Sequence, residues 1–471
     1  MFGSSAHDDP SWEGLPTVRR VETKRFLILL VVAASMVAGC GGSGSSDSGA
    51  EPAPVTTAGS TTTTTPATTA PETTAPETVP VRTGAEVLVT GGLGELRGQR
   101  VGLIVHQTSV VDGTHLIDWV ADAADVELAA IFAPEHGLRG VADAGELVAD
   151  SVDADTGVPV HSLYGSTRAP TAEMLAGIDT LVFDLQDVGT RFYTYTATMG
   201  LAMQAAAEHG VRLVVLDRPN PIGGERVEGF ARTPDQVSFV SQYPTPATHG
   251  LTAGELATMI VGEAWLPGLD GLDLTVVDLD GWERSQLWDD TGREWLAPSP
   301  GLPSSTSALV YPGTVLVEAT DLSYGRGTLT PFTMVGAPWA DAEALAAELN
   351  GRGLPGVVFE ATSFVPADIE NMATDPPYEG VEVFGVEIVP TDPAVFEPVR
   401  TGLHVLEAFQ AASLAAGEGS IIDRAAMFDL LAGTTELRLG LEAGTPADDL
   451  VAAWQADVAA FGALRTPYLR Y

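Results

Sequence analysis

The chain has 471 residues, with 63 Asp and Glu against 23 Lys and Arg, for a formal net charge of −40. A field of that sign repels phosphate backbones, which excludes nucleic acid as a partner and disfavours adsorption to anionic lipid. The length suits about two or three domains, and 45% hydrophobic residues fill real cores. One cysteine excludes an internal disulfide framework and any Cys-based zinc cluster, and nothing implies a metal or other cofactor.

That cysteine, Cys40, closes an unusual segment. Arg19, Arg20, Lys24 and Arg25 precede an apolar run from Phe26 to Val37, followed by Ala38-Gly39-Cys40. A basic patch, a short apolar stretch and small residues make a secretory signal, too short for a membrane span. Val37-Ala38-Gly39-Cys40 resembles a bacterial lipobox, in which the cysteine is acylated and becomes the new N-terminus. The expectation is a lipoprotein signal peptide over 1–40, lipidation at Cys40, and anchoring to the outer face of the cell membrane. A buried thiol or an uncleaved anchor is the competing role. From 41 to 83 Ser, Thr, Pro, Gly and Ala dominate, with scattered acids. Without large apolar side chains this stretch cannot offset the entropy of ordering, which predicts a disordered tether.

Beyond the tether, Val101 to Val105, Leu128 to Phe132, Thr180 to Phe183 and Leu213 to Leu216 are short apolar runs with little alternation, the pattern of buried parallel strands. Helical patterns over Leu116 to Ala124, Ala172 to Leu175 and Met199 to Glu208 separate them. Strands alternating with helices predict an α/β layer fold with right-handed crossovers. A helix follows from Thr252 to Trp265, with Thr252 and Glu255 at capping-box spacing, then a strand from Leu274 to Val277. Pro298 to Ser307 reads as a boundary or a substrate-facing loop. The remainder predicts helices at Ala342 to Leu349, Gly402 to Ala415 and Leu450 to Phe461. Strands at Val357 to Phe359 and Val383 to Ile388 complete a smaller α+β domain.

Each of the first four strands ends in a polar cluster. His106-Gln107-Thr108-Ser109 follows the first and Pro134-Glu135-His136-Gly137 the second. Asp184-Leu185-Gln186-Asp187-Val188-Gly189-Thr190-Arg191 follows the third and Asp217-Arg218-Pro219-Asn220 the fourth. In open parallel sheets ligands sit outside the carboxyl ends of the strands, so these loops should converge on a site.

Phe132-Ala-Pro-Glu-His-Gly-Leu-Arg-Gly140, His161-Ser-Leu-Tyr-Gly165 and Phe183-Asp-Leu-Gln-Asp-Val-Gly-Thr-Arg-Phe-Tyr-Thr-Tyr195 resemble signature blocks of the exo-β-N-acetylmuramidases, the NamZ family. So do Leu216 to Gly224, Tyr243 to Ala257, Pro298-Ser-Pro300 and Gly325-Arg-Gly-Thr328, in family order, over roughly Gly84 to Tyr471. The resemblance implies an exo-acting glycoside hydrolase releasing N-acetylmuramic acid from non-reducing ends of peptidoglycan fragments. It also implies a Rossmann-like domain, here over 84–307, joined to a smaller α+β domain over 308–471 that completes a cleft. Some positions depart from the family pattern: His106, Gly301 and Asp321 stand where asparagine is expected, and Glu360 where arginine is common.

Glycoside cleavage needs a carboxyl group to protonate the leaving oxygen, and Glu135, behind an apolar strand and a proline, is the expected acid with His136 beside it. Its competing role is an ion pair with Arg139. Asp187 and Asp217 are candidates for a second catalytic group, with Asp184 nearby; each equally fits capping a loop or pairing with Arg191 or Arg218. Muramic acid carries a lactyl carboxylate, which arginine binds with two-pronged geometry, so Arg191, Arg218 and Arg326 are expected at the substrate. Gln186, Tyr193, Asn220 and His249 complete the expected sugar-binding set. The rival function is a lipoprotein that captures a cell-wall sugar without cleaving it.

Overall fold

The first apolar run folds into β1 (Arg100–Val105), buried from Val101 onward as a strand without polar alternation must be. The structure, a computed structural model, describes residues 80–143 and 145–471. The expected signal peptide, Cys40 and the tether up to residue 79 lie outside the described residues. A small hairpin, β2 (Val110–Val111) and β3 (Thr114–His115), follows β1. Then come β4 (Glu127–Ala133), β5 (Ser151–Val152), β6 (Pro159–Ser162), β7 (Thr180–Asp184), β8 (Arg212–Leu216) and β9 (Leu274–Val277).

One seven-stranded sheet takes the order β5-β6-β4-β1-β7-β8-β9, parallel except at the β5 edge. Without β5 and the hairpin, its strands run third, second, first, fourth, fifth, sixth, which is the Rossmann order. The order reverses between β1 and β7, the place where such sheets bind ligands. Alternate residues of each strand enter opposite cores. Leu103, Ile131, Val182 and Val214 pack with Leu88 of α1 (Gly84–Thr90) and Leu116 of α2 (Leu116–Ala121). Ile104, Phe132, Phe183 and Val215 pack with Met199 of α3 (Thr194–His209) and Leu256 of α4 (Ala253–Gly262). That second core continues without a break into the rest of the chain.

The remaining elements are α5 (Ser305–Thr314), β10 (Met334–Ala337), α6 (Ala342–Gly351), β11 (Val357–Phe364), β12 (Val383–Pro390) and α7 (Pro398–Ala416). Four short helices end the chain: α8 (Ala425–Ala432), α9 (Glu436–Glu442), α10 (Ala447–Ala453) and α11 (Gln455–Arg465). β10, β12 and β11 form an antiparallel sheet, giving the expected α+β layer.

Local differences from expectation have local causes. Ala172 to Leu175 forms turns, because Pro170 and Gly177 leave too few residues to nucleate a helix. The pattern from Leu450 to Phe461 divides between α10 and α11 at Trp454, whose buried indole packs on Phe230. Ser304 caps α5 inside the stretch expected to be a loop. Order also begins before residue 83: Val81 is buried with Leu279 and Trp282, and Thr83 and Glu86 form a capping box on α1. Thr252 and Glu255 do the same for α4, as their spacing predicts.

Helices α5 and α7 cross at Gly313 and Gly402, backbone against backbone, and a methyl group on either would overlap the other. Gly402→Ala should therefore destabilise the fold by about 1–3 kcal/mol despite favouring helix, read as a lowered urea midpoint at unchanged slope.

Candidate active site

The loops at the carboxyl edge of the sheet do converge. Glu135 follows β4 and is buried, its Oε1 accepting from the Gly145 N–H (3.0 Å) and its Oε2 from the Thr194 hydroxyl (2.5 Å). Thr194 opens α3, so the carboxyl sits at the positive end of a helix. Tyr164 lies in its field, which helps burial to raise the phenol. Arg139 does not take the pairing role considered for it: it lies against Asp153 at 3.6 Å. The next residue, His136, has a left-handed backbone (φ 69°), a conformation that costs a non-glycine residue about 1–3 kcal/mol. Its Nδ1–H donates to the Ala142 carbonyl (2.8 Å), leaving Nε2 as the basic nitrogen.

Beyond β7, Asp187 Oδ2 accepts from the Gly189 N–H (2.7 Å), an Asx-type turn. Gly189 has φ 77°, and a Cβ there would collide with the Asn220 amide, so only glycine fits. Burial raises the Asp187 carboxyl to about 7, opposed by the Gly189 and Val188 N–H groups. His249 Nδ1 accepts from the Leu251 N–H (3.1 Å), so its proton sits on Nε2, 3.9 Å from Asp187 Oδ2. Burial, then Arg465 and Arg191, lowers the ring to about 3 and keeps it neutral. Gln186 donates to the Asp187 and Pro219 carbonyls (2.8 and 2.9 Å). Among the described residues, Asp187 Oδ1, Gln186 Oε1, the Tyr193 hydroxyl, His249 Nε2 and His106 Nε2 are buried polar atoms without hydrogen-bond partners. Buried polar groups are normally satisfied, so orphans gathered at one sheet edge mark a place for a polar ligand.

Five expected residues face inward to the protein instead. Asp184 and Arg218 form a buried fork (Nε–Oδ1 2.6 Å, Nη2–Oδ2 3.0 Å), and Arg218 also holds the Thr108 carbonyl. Asp217 accepts from the Thr252 and Tyr471 hydroxyls and the Gly254 and Arg218 N–H groups. Burial raises it to about 6, against those hydroxyls and the Gly254 N–H. Asn220 shapes its own loop through Leu251 and Ile222. Arg191 is buried and binds three carbonyls, of Phe230, Thr245 and Leu431, and burial drives it down to about 9.

The second half of the chain adds the expected Arg326 together with aromatic residues that sequence inspection did not single out. Rings run in contact from His106 through Tyr195, Tyr193, Tyr311 and Phe332 to Tyr324, with centroids 4.8–6.4 Å apart. Phe332 is left-handed (φ 67°), the second strained residue of the site. Tyr311 lies in the field of Glu318, Glu135, Tyr324 and Asp187. Tyr324 lies in the fields of Glu318 and Arg326, and Arg326 pairs with Asp143, whose carboxylate also takes the Thr374 N–H (2.9 Å). The local signal for Tyr311 was slight: it is the one aromatic residue from Ser304 to Thr314, directly before Pro312-Gly313.

A separate concavity of about 540 Å³ lies at the opposite, amino edge of the sheet, lined by Gln99, Asp179, Arg212 and Asp273. It is far from every residue above and holds no orphaned group. Among the described residues no cluster of three or more His, Cys, Asp or Glu is arranged to hold a metal ion.

The model described as exo-β-N-acetylmuramidase NamZ, N-terminal, matches residues 101–306, and its C-terminal counterpart matches 309–471. The chain belongs to the NamZ family. It is 42% identical over 394 residues to the peptidoglycan β-N-acetylmuramidase NamZ of Bacillus subtilis strain 168, covering 83% of this chain and 91% of that protein. Two crystal structures of DUF1343 family proteins from Bacteroides fragilis share the fold. One has a TM-score of 0.77 and 37% identity, over 84% of this chain and 100% of its own. The other has a TM-score of 0.69 and 32% identity, over 83% and 99%.

In this NamZ family member Asp187 gives a pH-dependent stability. The folded state holds its proton up to about pH 7, whereas the unfolded chain releases it near 3.8. The stabilisation is complete below the lower value and is lost as pH rises through the upper one, on the order of 4 kcal/mol at full ionisation. Asp187→Asn should thus raise the melting temperature at pH 8.5 and leave it nearly unchanged at pH 4.5.

Proposed function

We propose that this protein is an exo-acting glycoside hydrolase that releases N-acetylmuramic acid from the non-reducing ends of peptidoglycan fragments. The observation that carries the proposal is Glu135, a buried carboxyl held in place at the carboxyl edge of a Rossmann sheet and facing a wall of tyrosines, in a family of muramidases. A protein that only captured sugar would account for the fold but not for that kinship.

In this reading Glu135 protonates the glycosidic oxygen as the bond to C1 breaks, and His136 orients the leaving sugar through its free Nε2. Asp187, with His249 behind it, meets the N-acetyl or hydroxyl groups of the bound sugar through its unpartnered oxygen. Tyr193 lines the same pocket. Asp184, Arg218, Asp217, Asn220 and Arg191 hold the loops in place. Arg326 is the arginine of the set on the acid's own loop, through Asp143, and is the one assigned to the lactyl carboxylate.

Glu135→Gln keeps the shape and removes the proton. Release of N-acetylmuramic acid from the natural disaccharide should fall by roughly two to four orders of magnitude. An aryl muramide whose leaving group needs no proton should lose much less. Equal losses on both substrates would take the acid role from Glu135.

The lipobox-like segment supports a second proposal, that the enzyme is exported and held to the outer face of the membrane through Cys40. Cys40→Ala should abolish lipid labelling and move the protein into the soluble fraction. A variant still membrane-bound after a carbonate wash would refute the anchor.

A further inference from the structure

The carboxyl edge of the sheet has two flanks around Glu135. In the strand order β6-β4-β1-β7, Glu135 follows β4. The orphaned atoms of His106 and Asp187 follow β1 and β7, on one flank. The other flank is β6, and the chain leaving it carries Tyr164. The parallel register pairs Ala133 with Ser162, so Glu135 and Tyr164 each stand two residues past the last pair. One loop bridges them. The Gly145 N–H bonds to Glu135 Oε1 (3.0 Å), and the Val148 N–H bonds to the Tyr164 carbonyl (2.7 Å).

A second loop reaches this flank from beyond β8. Ser238 and Ser241 exchange backbone hydrogen bonds (3.1 and 3.4 Å), closing a tight turn with Phe239 and Val240 at its centre. Turn centres favour Gly, Asn, Asp or Ser, so a phenyl ring there does nothing for the turn itself. It does meet the β6 flank: the Phe239 and Tyr164 ring centroids are 6.2 Å apart. Arg168 Cζ lies 4.6 Å from the Phe239 centroid and 5.7 Å from that of Tyr164, so both rings attract the guanidinium. Tyr164 is buried, whereas Phe239 and Arg168 are only half-buried. On the same turn, Ser238 Oγ is a buried polar atom without a partner among the described residues. Such a cluster matches a pyranose, whose C–H faces are apolar and whose rim carries acceptor oxygens for the guanidinium N–H groups.

An acid that protonates the glycosidic oxygen stands between the two sugars which that oxygen joins. The sugar to be released meets the orphaned polar atoms on the β1 and β7 flank, which leaves the β6 flank to the leaving sugar. We propose that Tyr164, Phe239 and Arg168 form the subsite for the leaving N-acetylhexosamine, with Phe239 stacking on its apolar face and Arg168 donating to its hydroxyl or acetamido oxygens. This rests on the glycosidase reading above. Binding energy gained there reaches only substrates that carry a sugar on the leaving side, so the cluster selects glycan over simple muramides.

The test compares the natural disaccharide with N-acetylmuramyl β-fluoride, whose leaving group is a single atom and reaches no subsite. Phe239→Ala and Arg168→Gln should each lower kcat/KM on the disaccharide about tenfold, and leave it within about twofold of wild type on the fluoride. Both side chains are half-buried, so the variants should melt near the wild-type temperature. If Phe239→Ala does not fold, Arg168→Gln must show the same split between substrates. Wild-type turnover of the disaccharide by either folded variant would overturn the proposal. So would equal losses on both substrates, which would make the cluster a support for Glu135 and not a subsite. Failure of the underlying reading would look different: the wild-type enzyme itself would release no muramic acid from either substrate.

Discussion

The buried fork between Asp184 and Arg218 is the interaction on which the site depends. Asp184 ends β7 and Arg218 follows β8, so their pairing locks together the tips of two neighbouring strands. Arg218 extends the lock to the Thr108 carbonyl after β1, and the Ser109 hydroxyl returns to the Asp184 carbonyl (2.6 Å). Three loops are thereby held at the point where strand order reverses. Neither charge tolerates isolation there, since leaving one partner of a buried pair alone costs about 3–5 kcal/mol. A sheet twisted and frayed at its carboxyl edge could not hold Glu135 and Asp187 in fixed relation. The pair sets that edge so that neither of those carboxyls has to do so itself.

Much of this was legible in the sequence because it obeys short-range rules. Unalternating apolar runs at Val101, Leu128, Thr180 and Leu213 became parallel strands, and the polar clusters after them met at one edge. The capping box at Thr252 and Glu255 was visible as spacing alone. What was hidden is long-range. Asp187 and Asp217 look alike in sequence, each a polar residue beyond a strand. Only the fold brings Tyr471 and Thr252 onto one and leaves the other with an unpartnered oxygen. Arg191 reads as a ligand-binding cation next to a glycine-rich turn, and its carbonyl partners come from as far away as Leu431.

The site is therefore shared. The first half contributes Glu135 and the orphaned polar atoms, and the second contributes Tyr311, Tyr324 and Arg326. Continuity of one hydrophobic core through both halves makes this division safe, because the two sets of residues cannot drift independently. The crossing of Gly313 on Gly402 removes the last gap between α5 and α7, and so fixes the helix from which Tyr311 projects.

Strain and protonation divide the labour within this frame. His136 and Phe332, one on each half, are left-handed non-glycine residues at the site, and each is held there by its neighbours rather than by preference. His136 is pinned by the Ala142 carbonyl, and Phe332 by Tyr324 stacked on it and Tyr311 meeting it edge-on. Their rigidity matters because the carboxyls around them must keep different protonation states within a small volume. Burial raises the Asp187 carboxyl beside a neutral histidine, whereas the hydroxyl and N–H donors on Asp217 oppose the same rise. If the loops relaxed and admitted water, both carboxyls would drift toward ordinary values and the distinction would vanish. The strained backbone thus protects the chemistry indirectly, by keeping the surroundings of each carboxyl unequal.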